Sequence, residues 1–325
     1  MNTVLLVGAS GIMGGLIAHE AARRNLHLVL AGRHQDRLVE LAGALGRGQA
    51  SALLLDAASP QALDDAVSGT DLVLNTVGPF TRLAPPLIDA CLRAGVPYVD
   101  LANELEAVLA LLARDAEARR RPVTLVTGAG FGVTATETLA LLLARSTTDP
   151  LRTVRVVSAP AVAYASPGVQ ATVAEALAHG SARYVDGELV RTPLGEGATL
   201  LDGLGDLGQV IPVPQGDLVA AQRATSAPNV VAYAPARAER PLAPVTTQEV
   251  RSHAWADGST ESGRRLEARL SFGEGFQASA VIAVEVAVRV LATPRPGAWT
   301  PGQLFGPELA LASGATIRGN QPCPS

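Results

Sequence analysis

A run of apolar residues, Thr3-Val4-Leu5-Leu6-Val7, passes directly into Gly8-Ala9-Ser10-Gly11-Ile12-Met13-Gly14, then into an apolar helical pattern from Gly15 to Arg24. A second apolar run, Leu26 to Ala31, follows. Strand, glycine-spaced turn, helix and strand in this order make a βαβ unit, and the spacing points to a bound dinucleotide. Each glycine has a physical reason. Gly8 permits the tight turn, Gly11 carries no Cβ to hold a pyrophosphate off the backbone, and Gly14 lets the helix lie close to the strand. Ser10, Ile12 and Met13 complete the loop. The unpaired N–H groups and the positive end of the helix dipole then face the phosphates.

The end of the second strand bears on which dinucleotide. NAD sites usually place an acidic residue there, about 20 residues past the glycines, to bond the ribose 2′-hydroxyl. Here the chain reads Ala31-Gly32-Arg33-His34, with Arg37 one helical turn on. A guanidinium suits a 2′-phosphate, which it grips through parallel charge-assisted hydrogen bonds; the less favoured alternative is that Arg33 caps a surface loop. NADP(H) is therefore expected over NAD(H), with Asp56, Asn75, Val77, Gly78 and Pro79 at the ends of later strands completing the cofactor contacts.

The chain contains 26 basic residues, and every one is Arg. Without lysine there is no Schiff-base chemistry through that residue, and no Tyr-x-x-x-Lys pair of the short-chain dehydrogenases. A length of 325 residues suggests about two domains, and 48% hydrophobic content with only 3% aromatics requires an aliphatic core. The net charge of −4 and the scattered arginines give no footprint for a nucleic acid. Arg119-Arg120-Arg121 closes a predicted helix, where cations complement the dipole. Cys91 and Cys323 make neither a zinc cluster nor a disulfide framework. The first strand starts at residue 3, leaving no room for a signal peptide, and the apolar stretch Ala278 to Leu291 is broken by Glu285 and Arg289 and reads as too short to span a bilayer. The expectation is a cytoplasmic protein without a membrane partner.

Strand and helix alternate through about residue 128, as a doubly wound parallel sheet requires. Strands are expected at Ala50 to Leu55, Asp71 to Asn75, Tyr98 to Asp100 and Thr124 to Thr127. Helices are expected at Gln35 to Leu45, after Ser59-Pro60, at Pro86 to Ala94 and at Glu104 to Arg120. Gly128 to Gly132 reads as a flexible junction, followed by a helix at Ala135 to Arg145. Short β-rich runs then dominate: Thr153 to Ser158, Arg183 to Val190, Gln209 to Val213, Asn229 to Ala234 and Glu267 to Phe272. Asp186-Gly187 and Asp257-Gly258 carry hairpin-turn signals, and one helix is expected at Val169 to His179. Helical segments close the chain, with Val281, Val284, Val288 and Leu291 on one face. The reading is an α/β chain: a Rossmann-type doubly wound sheet at 1–129, a smaller α+β substrate and dimerisation domain at 130–277, and C-terminal helices at 278–325 returning to the first domain.

These features together resemble the saccharopine dehydrogenase-like NAD(P)-binding oxidoreductases, including the trans-acting enoyl reductase branch. The resemblance rests on Gly8-Ala9-Ser10-Gly11, Ala31-Gly32-Arg33, Asn75 to Phe80, Tyr98-Val99-Asp100-Leu101 and Gly128 to Gly132. Downstream it rests on Gly216-Asp217-Leu218, Ala227 to Val230 and Trp299-Thr300-Pro301. It implies reduction of a C=N or activated C=C bond, or the reverse oxidation, with a small-molecule substrate, and often a homodimer formed through the second sheet. The chain departs from the pattern where many relatives carry an acidic residue after Gly-Phe: Gly132 stands there, and Ala135 stands where a proline is common.

Ligands in open α/β sheets lie outside the carboxyl ends of the strands. That nominates Tyr98, Asp100 and Glu104 as proton sources, with Phe80, Asn103, Gly130 and Phe131 toward the substrate. Asn103 is also a natural helix cap and Glu104 suits a helix N-terminus. Gly78-Pro79 could simply turn the chain, Asp217 fits a loop turn, and His179 suits a helix C-terminus. Two functions remain open, a reductase or a non-catalytic NADP-binding sensor.

Overall fold

The computed structural model describes residues 2–56, 59–162, 170, 174, 178, 180–201, 208–236 and 251–318. By its contacts the chain divides into two units. The first comprises Met1–Ala102, Glu106–Gly130 and Ser279–Leu304, and the second Asn103–Leu105, Phe131–Ala278 and Phe305–Ser325.

In the first unit, strands β1 (Thr3–Val7), β2 (His27–Gly32), β3 (Ala50–Leu54), β4 (Leu72–Asn75), β5 (Tyr98–Asp100), β6 (Thr124–Val126) and β15 (Gly297–Trp299) form one sheet. Its order is β15-β6-β5-β4-β1-β2-β3, and every pair is parallel. The expected doubly wound sheet is present. Leu5, Leu6, Leu28, Leu30, Leu72 and Leu74 are buried, as the continuous apolar runs of a sheet covered on both faces require. The order reverses between β1 and β4, which creates the crevice where such folds hold ligands.

The connecting helices are α1 (Ile12–Arg23), α2 (Gln35–Leu45), α3 (Pro60–Val67), α4 (Phe80–Ala94), α5 (Leu105–Leu112) and α6 (Asp115–Arg120). Ser59 caps α3 by accepting from the Ala62 N–H, and Pro60 occupies its first turn. The single helix expected at Glu104 to Arg120 is two, α5 and α6, and Arg119 and Arg120 lie in the last turn of α6. Cys91 is buried in α4, and burial pushes its thiol up out of the ordinary range.

The second unit holds a mixed sheet of nine strands: β7 (Leu151–Ala159), β8 (Ser181–Val185), β9 (Glu188–Thr192), β10 (Thr199–Leu200), β11 (Gln209–Pro212), β12 (Asn229–Pro235), β13 (Ser252–Thr260), β14 (Arg265–Phe272) and β16 (Thr316–Arg318). Helices α7 (Phe131–Arg145) and α8 (Gly216–Thr225) belong to this unit and pack on one another and on β7. Only β7 and β12 pair in parallel. Asp186 and Gly187 make the β8–β9 turn, both with positive φ. Asp257-Gly258 does not turn the chain. Both lie inside β13, where a Cβ at Gly258 would meet the Thr153 carbonyl oxygen at 2.7 Å. Sequence reasoning read this glycine as a turn signal, but close approach of a neighbouring backbone explains it.

Ser279–Leu304 groups with the first unit, as the expected C-terminal return requires, but the tail is not helical throughout. Helix α9 (Gly275–Ala292) leads to β15, which adds a seventh strand beside β6. Phe305–Ser325 groups with the second unit, where β16 pairs with β14. Between them stand α10 (Pro301–Phe305) and α11 (Glu308–Ala312). At 18 residues α9 is long and apolar enough to cross a bilayer, contrary to the sequence reading. Its buried residues include Ala278, Ala280, Ile282, Ala283, Val284, Val286, Ala287 and Val290, and of the four predicted face residues Val284 alone is buried. Alanines allow close packing on a side that a search for large apolar residues overlooks. Glu285 on α9 pairs with Arg24 and Arg289. The segment Val169 to His179 falls largely outside the described residues.

Gly14 and Gly15 give a direct test. A Cβ on Gly14 would lie against the Gly8 carbonyl oxygen and 2.6 Å from Ala9 Cα, whereas a Cβ on Gly15 meets nothing within 4 Å. Gly14→Ala is expected to cost about 2–3 kcal/mol in urea unfolding. Gly15→Ala should be neutral or stabilising by up to about 1 kcal/mol.

Candidate cofactor and substrate site

The loop after β1 is held by its own backbone and by the end of β2. The N–H groups of Gly8 and Ala9 donate to the Ala31 carbonyl at 2.9 and 3.2 Å, and the Gly11 N–H donates to the Gly8 carbonyl at 3.0 Å. Gly8 has a φ of +86°, the left-handed region that favours glycine. A Cβ there would also meet Thr76 Oγ1 at 2.5 Å and Val77 Cγ2 at 2.7 Å, so the loop after β4 presses against it. Thr76 secures that contact, since its N–H and hydroxyl both donate to the Val7 carbonyl.

Gly11 caps α1 with no side-chain bond, and the first turn carries no acidic residue. The N–H groups of Ile12, Met13 and Gly14 are therefore open toward an anion. A Cβ at Gly32 would lie 3.3 Å from Ser10 Oγ, so the loop and the end of β2 meet. Arg33, His34 and Arg37 follow, all exposed, and no described residue pairs with either guanidinium. Asp56 is exposed beyond β3. Asn75 ends β4, its Oδ1 accepts from the Val77 N–H at 3.0 Å, and Gly78-Pro79 is a cis peptide before Phe80 opens α4. Phe80 is buried. A bare helix N-terminus flanked by free guanidinium groups fits a phosphorylated dinucleotide.

Behind this edge lies a closed polar network. Asn75 Nδ2 donates to the Tyr98 hydroxyl at 3.0 Å, which donates to Asp100 Oδ2 at 3.0 Å. Asp100 Oδ1 accepts from the Ala102 N–H (3.0 Å), the Thr127 hydroxyl (2.8 Å) and the Gly128 N–H (3.2 Å). All three of Asn75, Tyr98 and Asp100 are at most 1% exposed. Burial raises the Asp100 carboxyl from 3.8 to about 6, against the pull of the groups that donate to it. Burial and the Asp100 charge hold the Tyr98 hydroxyl well above its usual value. Asp100 thereby ties the ends of β4, β5 and β6 together. The stretch read as a flexible junction is fixed: Gly128 is bonded to the Asp100 side chain, the Ala129 N–H donates to the Asp100 carbonyl at 2.8 Å, and α7 begins at Phe131.

Of the other nominated residues, Asn103, Glu104 and Phe131 belong to the second unit. The Asn103 N–H donates to Glu104 Oε2 at 3.1 Å, and both side chains sit on a short segment bridged to Gln215. Glu104 is 2% exposed. Phe131 packs edge-on against Phe272, ring centroids 5.7 Å apart, and so builds the core. Gly130 groups with the first unit. Sequence reasoning left Asp217 as a turn residue, yet it is 1% exposed in the first turn of α8, with Oδ1 3.0 Å from the Thr136 hydroxyl. Burial raises its carboxyl from 3.8 to about 6. Thr136 and Ser158, also in this unit, gave no signal in the sequence; the polar start of α8 at Gly216-Asp217 was the one available hint.

The fold and the loop geometry define a dinucleotide-binding α/β domain joined to a mixed-sheet unit. Residues 4–126 match the saccharopine dehydrogenase NADP binding domain. Over 106 residues the chain is 37% identical to the trans-acting enoyl reductase of Mycobacterium ulcerans, covering 31% of this chain and 25% of that protein. The Mycobacterium tuberculosis H37Rv trans-acting enoyl reductase is 39% identical over 106 residues, with the same coverage of 31% and 25%. The match thus spans a quarter of the length of these curated relatives. Apo saccharopine dehydrogenase (L-Glu forming) from Saccharomyces cerevisiae superposes with a TM-score of 0.65 at 12% identity, over 98% of this chain and 100% of that one. The chain therefore has the saccharopine dehydrogenase fold.

Because the folded-state value of Asp100 lies above that of the unfolded chain, its ionisation opposes folding. Its contribution is most favourable below pH 3.8 and declines as pH rises to about 6, then stays level. The shift corresponds to about 3 kcal/mol. Asp100→Asn removes this slope, so urea unfolding across that window should show the wild-type-minus-variant difference falling by about that amount. A difference that does not change with pH would overturn the assignment.

Proposed function

We propose that this chain is an NADPH-dependent oxidoreductase that reduces a C=N or an activated C=C bond of a small-molecule substrate. The observation that carries the reading is the exposed pair of guanidinium groups, Arg33 and Arg37, unpaired among the described residues, beyond β2 and next to the loop that leaves the N-terminus of α1 bare. The domain match of residues 4–126 and the enoyl reductases among the relatives support it. When bound, the cofactor supplies the hydride. The N–H groups of Ile12, Met13 and Gly14 would take the pyrophosphate, and Arg33, His34 and Arg37 the 2′-phosphate. Val77, Gly78 and Pro79 would line the crevice beside Gly8, where the strand order reverses. In this reading the protein acts in the cytoplasm as a homodimer.

Asp100 serves here as a positioning residue that fixes the strand ends, since both its oxygens are already engaged. Glu104 stays the nominated proton source. Its replacement by Gln should lower turnover by about 10² while leaving NADPH affinity unchanged. The commitment of Tyr98 and Asp100 to each other favours the second reading, an NADP-binding sensor, which predicts cofactor binding with no turnover of any imine or enoyl substrate.

Fluorescence titration with both dinucleotides tests the cofactor assignment. NADPH should bind more tightly than NADH, and Arg33→Ala should weaken NADPH binding about tenfold or more while leaving NADH nearly unaffected. Equal affinities, or an unchanged preference in the variant, would overturn it.

A further inference from the structure

Within the second unit, three polar side chains from separate parts of the chain converge on a space that Gly132 leaves open. A Cβ on Gly132 would lie 3.5 Å from Asp217 Oδ2, 3.5 Å from Asn103 Nδ2 and 3.4 Å from Ser158 Oγ. Asp217 Oδ2 and Asn103 Oδ1 are buried and have no hydrogen-bond partner among the described residues. Asp217 is held from its other side: the Thr136 hydroxyl lies 3.0 Å from Oδ1, as it does from the Gly132 carbonyl oxygen. That hydroxyl has one proton to give, so it satisfies at most one of these acceptors at a time.

Native interiors rarely leave a carboxyl oxygen unmet, because it loses its hydration without replacement. Among the described residues no cationic side chain pairs with Asp217. The space is also maintained against an easy alternative. Gly132 lies in α7 without a positive φ, and alanine there would make only ordinary van der Waals contacts while suiting a helix better. A buried carboxyl oxygen beside a glycine, with neither a hydrogen-bond partner nor a cation among the described residues, calls for a ligand group that brings both hydrogen-bond donors and positive charge.

We propose that Asp217 and Asn103, with Ser158, form a subsite at Gly132 that binds a protonated nitrogen group, such as a primary ammonium, of a small molecule. This deepens the oxidoreductase reading by giving its substrate a charged, hydrogen-bond-donating nitrogen, and rests on that reading only in calling the molecule a substrate. Gly132 supplies the room, Asp217 the charge, and Asn103 and Ser158 the orientation.

The test uses the full chain and methylammonium chloride as probe, with tetramethylammonium chloride at equal ionic strength as the cation without N–H donors. Methylammonium should raise the thermal midpoint of the wild type in a saturable way, because a ligand that binds the folded state alone stabilises it. Tetramethylammonium should not. Gly132→Ala should raise the midpoint by itself and abolish the response to methylammonium, and Asp217→Asn should abolish the response as well. Should Asp217→Asn fail to fold, Gly132→Ala decides the matter. A response that persists in the folded variants, or a wild type that treats the two cations alike, overturns the proposal. NADPH titration of the same samples separates the two readings: intact NADPH binding with no methylammonium response overturns the subsite alone, and the converse overturns the cofactor assignment alone.

Discussion

A carboxyl group buried inside a parallel sheet is destabilising unless its lone pairs are met, and at Asp100 four donors meet them. Two come from backbone N–H groups just past the ends of β5 and β6, one from Thr127 and one from Tyr98. Tyr98 in turn accepts from Asn75 at the end of β4. The carboxyl edge of the sheet is thus cross-linked by one connected set of hydrogen bonds. Removing any member would leave its partners buried and unpaired, so the network is rigid as a unit. The loops beyond β4, β5 and β6 inherit their positions from it.

The opposite side of the crevice depends on steric contact. Gly8 and Gly14 bring two stretches of backbone into contacts that no side chain could share, and Gly8 further admits Thr76 and Val77. That contact joins the loop after β1 to the loop after β4, at the point where the strand order reverses. The N-terminus of α1 is left uncapped as a consequence, because Gly11 has no side chain to offer its N–H groups. The open N–H groups here are a by-product of close packing, and the exposed arginines beyond β2 add positive charge nearby.

In the second unit the polar groups follow a different rule. Arg155 and Asp257 pair across β7 and β13, and Arg155 lies over the Trp255 ring, so the polar residues of that face are neutralised by neighbours in register. Asp217 and Asn103 are the contrast, with one oxygen each left unmet.

The first βαβ unit was legible from residues alone. Glycine spacing, apolar strand runs and the arginine after β2 are local patterns, and the constraints behind them act between residues close in sequence. The parallel sheet and most of its boundaries followed. What sequence could not supply were features made by residues far apart. Strand β13 is too polar to stand out, and Gly258 within it answers to the backbone of β7. Strand β15 spans three residues after a proline-rich stretch, and exists because β6 offers it an edge. Tyr98 and Asp100 were legible as important, but their sealing into a network with Thr127 and Gly128 depends on strand order. Asp217 read as a turn because its distinguishing property, an oxygen buried and unmet beside Gly132, arises only when residues 103, 132, 158 and 217 meet in space. Local chemistry is written in the sequence; burial and the satisfaction of polar groups are set by the tertiary structure.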